Sequence, residues 1–370
     1  MKKVGIITFH ASHNYGSMLQ AYALQQTVLR LGCECEIINL RTQLQRKIYS
    51  PFFMYKGWAK KLKALRYPRL AIEDIKKHQK FEQFLHEKYI LSPHTYTTAE
   101  ELKNANLDYD CYISGSDQIW NTSCADFLTS YFFDFVKHGK RIAYAPSMGP
   151  QPFKQIGIKY HSLIKEFVTR YDAITVREQD TATLLKQIAD ITASVALDPT
   201  LLINLQDWSA LAGDKPLVDG NCNYIFVYTP RYDDYKPLFT VALELAKQHN
   251  LKIICSLPDN VSKWRKEPHF QYYTAVGPIE FLNLVKYSKY MFCGSFHAVV
   301  FSILFNKPFF AYEGMNDSRI APLLKMTNLE WCTDMLEGQL PMPYNDEKTR
   351  NKLEFHINQS IQYLKDAIYT

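Results

Sequence analysis

The sequence predicts an α/β protein made of two doubly wound, Rossmann-like domains that face each other across a cleft. Three observations lead to this fold class. The chain of 370 residues is long enough for two domains that each bury a core. Short apolar runs alternate with segments of helical periodicity, which is typical of parallel sheets covered on both faces. A loop-like stretch rich in Gly and Asp, near residues 205–222, separates two such series.

The first series predicts an N-terminal domain over residues 1–205. Its first helix, GSMLQAYALQQTVLRLG, has apolar residues at helical spacing and ends at Gly32, a residue type that commonly closes helices. A helical segment over about 41–92 looks like an insertion, and Pro199 marks the exit from the last strand. The predicted strands are KVGIITF, CEIINL, YDCYISGS, RIAYAPS, AITVRE and SVALDPTLLI.

The second series predicts a C-terminal domain over residues 222–345. The same alternation returns there, and a last helical segment over 346–370 is expected to pack back on the N-terminal domain. The predicted strands are YIFVYTP, KIICSLP, YMFCGS and KPFFAY, and the helices between them are YKPLFTVALELAKQHN, GPIEFLNLVKYS and FHAVVFSILFN.

Composition and cysteine usage exclude several classes of protein. No apolar run approaches the ~20 residues that cross a bilayer, and the N-terminal MKKVGIITFH lacks the apolar region and cleavage site of a secretory signal. The eight cysteines form no CxxC pair and lie mostly in apolar runs, which favours buried reduced thiols over disulfides or zinc sites. We therefore expect a cytoplasmic protein, and no His/Asp/Glu cluster in the sequence argues for a metal site.

The net charge of +6 comes from one basic segment. Nine basic residues and no acidic residue lie between Arg41 and Arg69, together with several aromatic side chains. Such a segment suits the surface of an anionic membrane, at its inner face, or it is a basic helix whose aromatics pack on the domain. No motif supports nucleic-acid binding. The aromatic and Met residues are Tyr49, Phe52, Phe53, Met54, Tyr55 and Trp58.

Candidate functional residues follow the strands, because ligands of doubly wound folds bind at the carboxyl ends of strands beside helix N-termini. After the first strand, Asn14, Gly16 and Ser17 precede a helix whose N–H groups could receive an anion, or Asn14 or Ser17 simply caps that helix. This loop is neither a GxGxxG nor a Walker motif. In SGSDQIWN, Asp117 could act as a base or accept a hydrogen bond from a sugar hydroxyl, and Trp120 beside it looks exposed. Capping of a helix explains the presence of Asp117 about as well.

Three arginines also follow predicted strands, and a guanidinium there can bind a carboxylate or phosphate bidentately. They are Arg177, Arg231 and Arg319. For Arg177, a structural salt bridge with Glu178 or Asp180 is the competing explanation.

His297 begins a helix directly after a strand, with Gly294 and Ser295 forming the turn. The positive end of the helix favours the neutral imidazole, whereas a bound dianion favours the imidazolium, so proton transfer near neutral pH is feasible. The alternative is a core histidine whose ring finds a hydrogen bond.

Six segments occur together in the order of a known family. The sequence closely resembles the polysaccharide pyruvyl transferases over roughly residues 1–330. The resemblance implies a GT-B-like fold and the transfer of pyruvate from phosphoenolpyruvate to sugar hydroxyls, commonly as a ketal, with release of phosphate. The segments are NYGSMLQAYAL, YISGSDQIWN, YAPSMG, VREQDT, LDPTLL and GSFHAVVFSILFNKPFFAY followed by DSR.

The resemblance also implies roles for individual residues. His297 matches the histidine expected to protonate the donor, and Arg177 matches a strand-end arginine that would bind its carboxylate or phosphate. Arg319 lies where the family often has a basic residue, and Ser295 would contact the phosphate. Some relatives have an arginine at the position of Ser295, so Arg231 or Arg319 would have to supply that charge here. Asp117 would orient or deprotonate the acceptor hydroxyl.

The implied partners are phosphoenolpyruvate, on the C-terminal domain, and a sugar acceptor, on the N-terminal domain. The acceptor is either a lipid-linked oligosaccharide or a finished cell-surface polysaccharide. The implied chemistry requires no metal or other cofactor. Two alternatives stay open at this stage. One is a GT-B glycosyltransferase that uses a nucleotide sugar, and the other is a non-catalytic carbohydrate-binding protein that retains the fold.

Overall fold

The computed structural model of the protein describes residues 1–51, 68–218, 223–230, 236–256, 267–334 and 339–370. These residues form helices and two parallel sheets, which confirms the α/β, doubly wound fold class that the alternating pattern predicts. Most of the basic segment, residues 52–67, lies outside the described residues, and so does Cys222. The other seven cysteines are free thiols, and all of them except Cys124 are buried.

Six strands form the first sheet: β1 (Lys3–Ile7), β2 (Glu34–Ile37), β3 (Cys111–Ser114), β4 (Lys140–Ala143), β5 (Ala173–Val176) and β6 (Ser194–Val195). Their spatial order is β2–β1–β3–β4–β5–β6, and every pair is parallel. β1 lies between β2 and β3, with Val4 opposite Cys35 on one side and Cys111 on the other. All four residues of β3 are buried, as expected for a central strand whose sequence is a continuous apolar run.

Five strands form the second sheet: β7 (Tyr224–Tyr228), β8 (Lys252–Cys255), β9 (Phe270–Tyr272), β10 (Tyr290–Cys293) and β11 (Phe309–Ala311). Their order is β11–β10–β7–β8–β9, again with every pair parallel. β7 is the central strand, and its five residues are all buried. In each sheet, therefore, the strand that comes first in the sequence is an interior strand, and later strands pair with it on both sides.

The α-helices of the described residues are α1 (Tyr15–Arg30), α2 (Gln43–Tyr49), α3 (Pro68–Lys88), α4 (Ala99–Asn104), α5 (Pro152–Gln155), α6 (His161–Val168), α7 (Gln179–Ala189), α8 (Leu205–Ala212), α9 (Lys236–His249), α10 (Pro278–Tyr287), α11 (Phe296–Leu304), α12 (Ile320–Thr327) and α13 (Asp346–Tyr369). Gly32 follows α1 with a φ of +84°, which a residue without a Cβ adopts at no steric cost. None of the described helices is both long and apolar enough to span a membrane.

The chain divides into two compact units. The first contains Met1–Tyr49, Leu85–Ile203 and Leu353–Thr370, and the second contains Ser50–Phe84 and Asn204–Lys352. From Leu353 onward, the C-terminal helix α13 belongs to the first unit, where the carbonyl of Ala367 accepts a hydrogen bond from Lys140 Nζ over 3.3 Å.

The assignment of residues 50–84 differs from the sequence prediction, which placed the whole insertion in the N-terminal domain. The described part of this segment packs on the second unit instead. Lys80 Nζ lies 2.7 Å from Glu280 Oε1 of α10, and Thr274 Oγ1 lies 3.3 Å from Glu73 Oε2. A Cβ at Gly277 would come within 2.7 Å of Lys80 Cβ, so only glycine allows this close approach.

Candidate functional site

The strand order of each sheet selects one edge as a candidate ligand site. In the first sheet the chain leaves β1 toward β2 and later returns to β3 on the other side of β1. In the second sheet it leaves β7 toward β8 and returns to β10 on the other side. Ligands of doubly wound folds bind beyond the carboxyl ends of strands at such switch points. We call the turns after β1 and β3 (residues 8–14 and 115–121) the first switch edge, and those after β7 and β10 (residues 229–230 and 294–297) the second.

At the first switch edge, Asn14 is the N-cap of α1. Its Oδ1 accepts a hydrogen bond from the backbone N–H of Ser17 over 3.2 Å, so the predicted capping role is present. Gly16 and Ser17 lie in the first turn of α1 and are buried. His10, in the same loop, is held by hydrogen-bond contacts to the Thr8 carbonyl and to another side chain.

Asp117 occupies a strained position in the turn after β3. Its φ is +77°, a region that non-glycine residues seldom adopt and that concentrates at functional sites. Oδ1 accepts a hydrogen bond from Gln118 N over 2.8 Å, and the backbone carbonyl accepts one from Ser147 N over 2.8 Å. Oδ2 is buried and has no hydrogen-bond partner among the described residues. A buried acceptor in this state is costly unless something else satisfies it.

A second acid, Asp126, lies in the same connection between β3 and β4. It is buried, and its Oδ2 accepts a hydrogen bond from the Tyr49 hydroxyl over 3.2 Å. Burial raises the pKa of Asp126, and the charge of Asp117 raises it further. Sequence reasoning missed Asp126 and named Tyr49 only as an aromatic residue of the basic segment, because neither residue directly follows a strand. The signal was an acid inside the otherwise apolar run CADFLTSYFF.

Arg177, which follows β5, is part of a buried ion-pair network. Its Nε lies 2.8 Å from Glu178 Oε1 and its Nη1 lies 3.1 Å from Asp198 Oδ2, with 3% of the side chain exposed. Burial alone would lower the pKa of the guanidinium, but the charges of Glu178 and Asp198 outweigh it and raise that pKa. Ser116 also donates to Asp198 Oδ2 over 3.1 Å. The salt bridge with Glu178, which the sequence left open as an alternative, is therefore present.

Trp120 is buried, so the exposure expected from its sequence context is wrong. Its ring stacks on Phe132 with centroids 4.9 Å apart and planes 14° apart, and Nε1 donates a hydrogen bond to the carbonyl of Tyr131 over 3.2 Å. Burying a ring of this size with its only polar atom satisfied is strongly favourable. In this structure the indole therefore offers no surface to an acceptor.

The second switch edge contains Ser295 and His297. Ser295 is the N-cap of α11, and its Oγ accepts a hydrogen bond from Ala298 N over 3.2 Å. His297 is the second residue of α11, as the strand–turn–helix pattern predicts, and it is half-buried with its ring against Phe296. The rest of α11 is almost entirely buried. The helix therefore holds one titratable side chain at the positive end of its dipole.

Arg319 precedes α12, in the segment after β11. Its Nε donates to Asp317 Oδ1 over 2.9 Å, and Nη2 also pairs with Asp317, leaving 17% of the side chain exposed. Arg231 lies outside the described residues. The structure thus groups Asn14, Ser17 and Asp117 around the first switch edge and Ser295 and His297 around the second.

A family model described as polysaccharide pyruvyl transferase matches residues 14–314. The match includes the turn after β3 and the whole second switch edge. It begins at Asn14, so residues 8–13 of the first switch edge lie outside it, and so does Arg319. Comparison of the sequence with curated proteins gives no match.

Solved structures share the fold at low sequence identity. An α-glucosyltransferase in complex with UDP and a 13-mer DNA containing a HMU base superposes with a TM-score of 0.53 and 10% identity, covering 100% of this chain and 95% of that one. A UDP-GlcNAc 2-epimerase from Neisseria meningitidis bound to UDP-GlcNAc gives 0.51 and 12%, covering 99% and 93%. The S. aureus MnaA–UDP structure gives 0.51 and 12%, covering 99% and 91%. These similarities confirm the predicted GT-B-like fold class.

Proposed function

Because the chain belongs to the polysaccharide pyruvyl transferase family, we propose that it transfers the pyruvyl group of phosphoenolpyruvate to sugar hydroxyls and releases phosphate. The acceptor is a cell-surface polysaccharide or its lipid-linked precursor. The observation that carries the proposal is the position of His297, a half-buried imidazole in the first turn of α11, where the chain leaves the central region of the second sheet.

The reaction needs one acid and two proton acceptors. A proton forms a C–H bond at the methylene carbon with the π electrons of the enol, which leaves an oxocarbenium-like centre on the adjacent carbon. One sugar hydroxyl attacks this centre and loses its proton, the C–O bond to phosphate breaks, and a second hydroxyl closes the ketal and loses its proton. One of these protons restores the acid, and the other leaves on hydrogen phosphate.

His297 is the proposed acid. Its ring lies in the first turn of α11, at the helix end where a donor with a phosphate and a carboxylate would bind. Imidazole is the side chain that most often transfers protons near neutral pH, so the ring can deliver the proton to the methylene carbon.

Ser295 and Arg319 are the proposed donor ligands in the second unit. Ser295 lies at the N-terminus of α11, where phosphate binds favourably. Arg319 has 17% of its side chain exposed, whereas Arg177 has 3% and is already paired with two carboxylates. We therefore propose Arg319 as the replacement for the arginine that some relatives carry at the position of Ser295. The other predicted replacement, Arg231, lies outside the described residues. Roles for Arg177 and Arg231 remain predictions.

Asp117 is the proposed proton acceptor for a sugar hydroxyl. Its strained backbone and its unsatisfied buried Oδ2 support this role, since such positions persist where function requires them. Asp126 lies close enough for the two charges to interact, so the pair offers two sites for protons from the acceptor.

The test compares His297→Gln with His249→Gln, a change of an exposed histidine at the end of α9 in the same unit. Purified protein is given phosphoenolpyruvate and a panel of methyl glycosides with neighbouring hydroxyls, and phosphate is followed. We expect His297→Gln to lower kcat by about 10²–10⁴-fold and to keep the thermal stabilisation by phosphoenolpyruvate. His249→Gln should behave as wild type, and an unchanged kcat in His297→Gln would exclude the acid role.

The same assay separates the alternatives. The solved structures named above contain UDP or UDP-GlcNAc, and a glycosyltransferase of this fold would release a nucleoside diphosphate from a nucleotide sugar. Release of that diphosphate, with no effect of phosphoenolpyruvate on the melting temperature, would replace the pyruvyl proposal. Binding of glycosides without any turnover would indicate a carbohydrate-binding protein.

A further inference from the structure

The segment after β4 in the first unit exposes two large apolar side chains. Phe153, in α5, is 50% exposed, and Ile158, at the start of the following 3-10 turn, is 84% exposed. Among the described residues no other large apolar side chain is more exposed than Ile158. Lys154 and Lys159 follow them directly in the chain and are also exposed. We call these four residues the 153–159 surface.

The segment between these exposed residues is anchored to the protein. Ile156 is 4% exposed and belongs to the hydrophobic core of the first unit, and its N–H donates to the carbonyl of Pro152 over 2.9 Å. Tyr160 N donates to the carbonyl of Gly157 over 2.8 Å, and the Tyr160 ring packs edge-on against Phe127. The exposure of Phe153 and Ile158 is therefore a consequence of how the segment is held, with Ile156 directed inward between them.

The charged side chains along this segment of the chain have one sign. No Asp or Glu occurs from residue 135 to residue 165, and Lys165 of α6 is exposed as well. A partner that suits the surface must offer an apolar interior to Phe153 and Ile158 and negative groups to Lys154 and Lys159. A bilayer that contains anionic lipids offers both at the same depth.

We propose that the 153–159 surface docks this protein on anionic membranes, with Phe153 and Ile158 inserted among the acyl chains and the two lysines at the headgroups. The 153–159 surface and the basic segment 41–69 are different parts of the sequence, and the proposal does not depend on the chemistry at His297. It would bring the first unit to the lipid phase in which a lipid-linked acceptor is held.

The experiment is co-sedimentation with vesicles of phosphatidylcholine alone and with added phosphatidylglycerol. Wild type should bind the anionic vesicles, and binding should weaken with added salt. Phe153→Ser/Ile158→Ser should abolish most of the binding, and Lys154→Gln/Lys159→Gln should weaken it roughly fivefold for each lysine. Val195→Ser/Phe355→Ser is the matched control, because these two apolar side chains of the same unit are 48% and 62% exposed.

Equal sedimentation of wild type and Phe153→Ser/Ile158→Ser would overturn the proposal. A change in mass by light scattering in that variant, with lipid binding unchanged, would overturn it as well and would indicate a contact between copies of the chain. Phosphate release with water-soluble glycosides should be the same in wild type and the variant. Failure of the docking proposal is thus distinguishable from failure of the pyruvyl transfer proposal.

Discussion

The two switch edges occupy the same topological position and differ in how their charges are held. At the first, Asp117 is buried. Beside it lie the buried Asp126 and the buried ion-pair network of Arg177, which reaches the turn after β3 through the hydrogen bond from Ser116 to Asp198. At the second, His297 is half-buried at a helix N-terminus beside a capping serine. The first edge is therefore a preorganised polar cluster, and the second presents one titratable group.

This difference shows that a polar residue after a strand of a doubly wound sheet can either stabilise the local structure or act on a ligand. Arg177 and His297 are both polar residues that follow a strand, and only the contacts reveal that the arginine neutralises buried carboxylates. A charge that is committed to buried partners stabilises the local structure, whereas a group that keeps part of its surface exposed can act on a ligand. The predictions below test that division.

The largest change in the free energy of unfolding should come from the buried ion-pair network around Arg177. Asp198→Asn removes one of the two carboxylates that pair with Arg177, leaving a buried cation with less compensation. We expect the free energy of unfolding to fall by about 3 kcal/mol, the lower end of the range because Glu178 remains. Chemical denaturation monitored by circular dichroism measures this change.

Asp190→Asn is the matched control for that measurement. Asp190 pairs with Lys186 on the surface of α7, and its side chain is 88% exposed. Exposed pairs of this kind contribute little, so the control should unfold like wild type. Equal destabilisation by the two changes would show that the Arg177 network is not the tightly coupled cluster described here.

Smaller changes in stability and in KM should distinguish a helix-capping role from an anion-binding role at each edge. Asn14 caps α1 and Ser295 caps α11, each over 3.2 Å. Ser295→Ala should cost about 1 kcal/mol through loss of the cap. Ser295→Asp keeps a good cap but adds a negative charge, so stability should be retained while the KM for phosphoenolpyruvate rises about tenfold or more.

Asn14→Asp makes the same charge change at the first edge. If the donor binds only at the second edge, this variant should keep both its stability and the KM for phosphoenolpyruvate. A rise in KM in Asn14→Asp, with none in Ser295→Asp, would reverse our assignment and place the anion site at the N-terminus of α1.

The strands and helices were largely predictable from the sequence, because parallel sheets covered on both faces require continuous apolar strands. The boundary between the units was less predictable. Residues 50–84 are contiguous with the first series of elements, yet their described part packs on α10 through Lys80 and the absence of a Cβ at Gly277. Contacts of this kind depend on distant residues and leave no periodic signal in the chain.

The positions of candidate residues were predictable where they depend on a local motif. The place of His297 at the start of a helix follows from the strand–turn–helix pattern, and Asn14 was one of the two residues expected to cap α1. The burial of Trp120 was not predictable, because whether an indole is buried depends on Phe132, a partner outside its local motif. Asp126 was missed for the same reason, since its contact with Tyr49 spans 77 positions in sequence.

The smallest expected change is in how the free energy of unfolding depends on pH, and it comes from Asp126, a buried acid beside the first edge. Burial, and next the charge of Asp117, raise its pKa above the ordinary value of 3.8. The folded state then holds a proton that the unfolded chain has lost, so Asp126 lowers stability as pH rises from about 4 toward its folded pKa. Asp126→Asn should therefore gain stability relative to wild type over that range, measured by urea unfolding at a series of pH values. Asp108→Asn, at a side chain that is 89% exposed, is the matched control. A wild-type advantage that grows with pH would contradict the prediction, because it would mean that Asp126 is stabilised as a carboxylate.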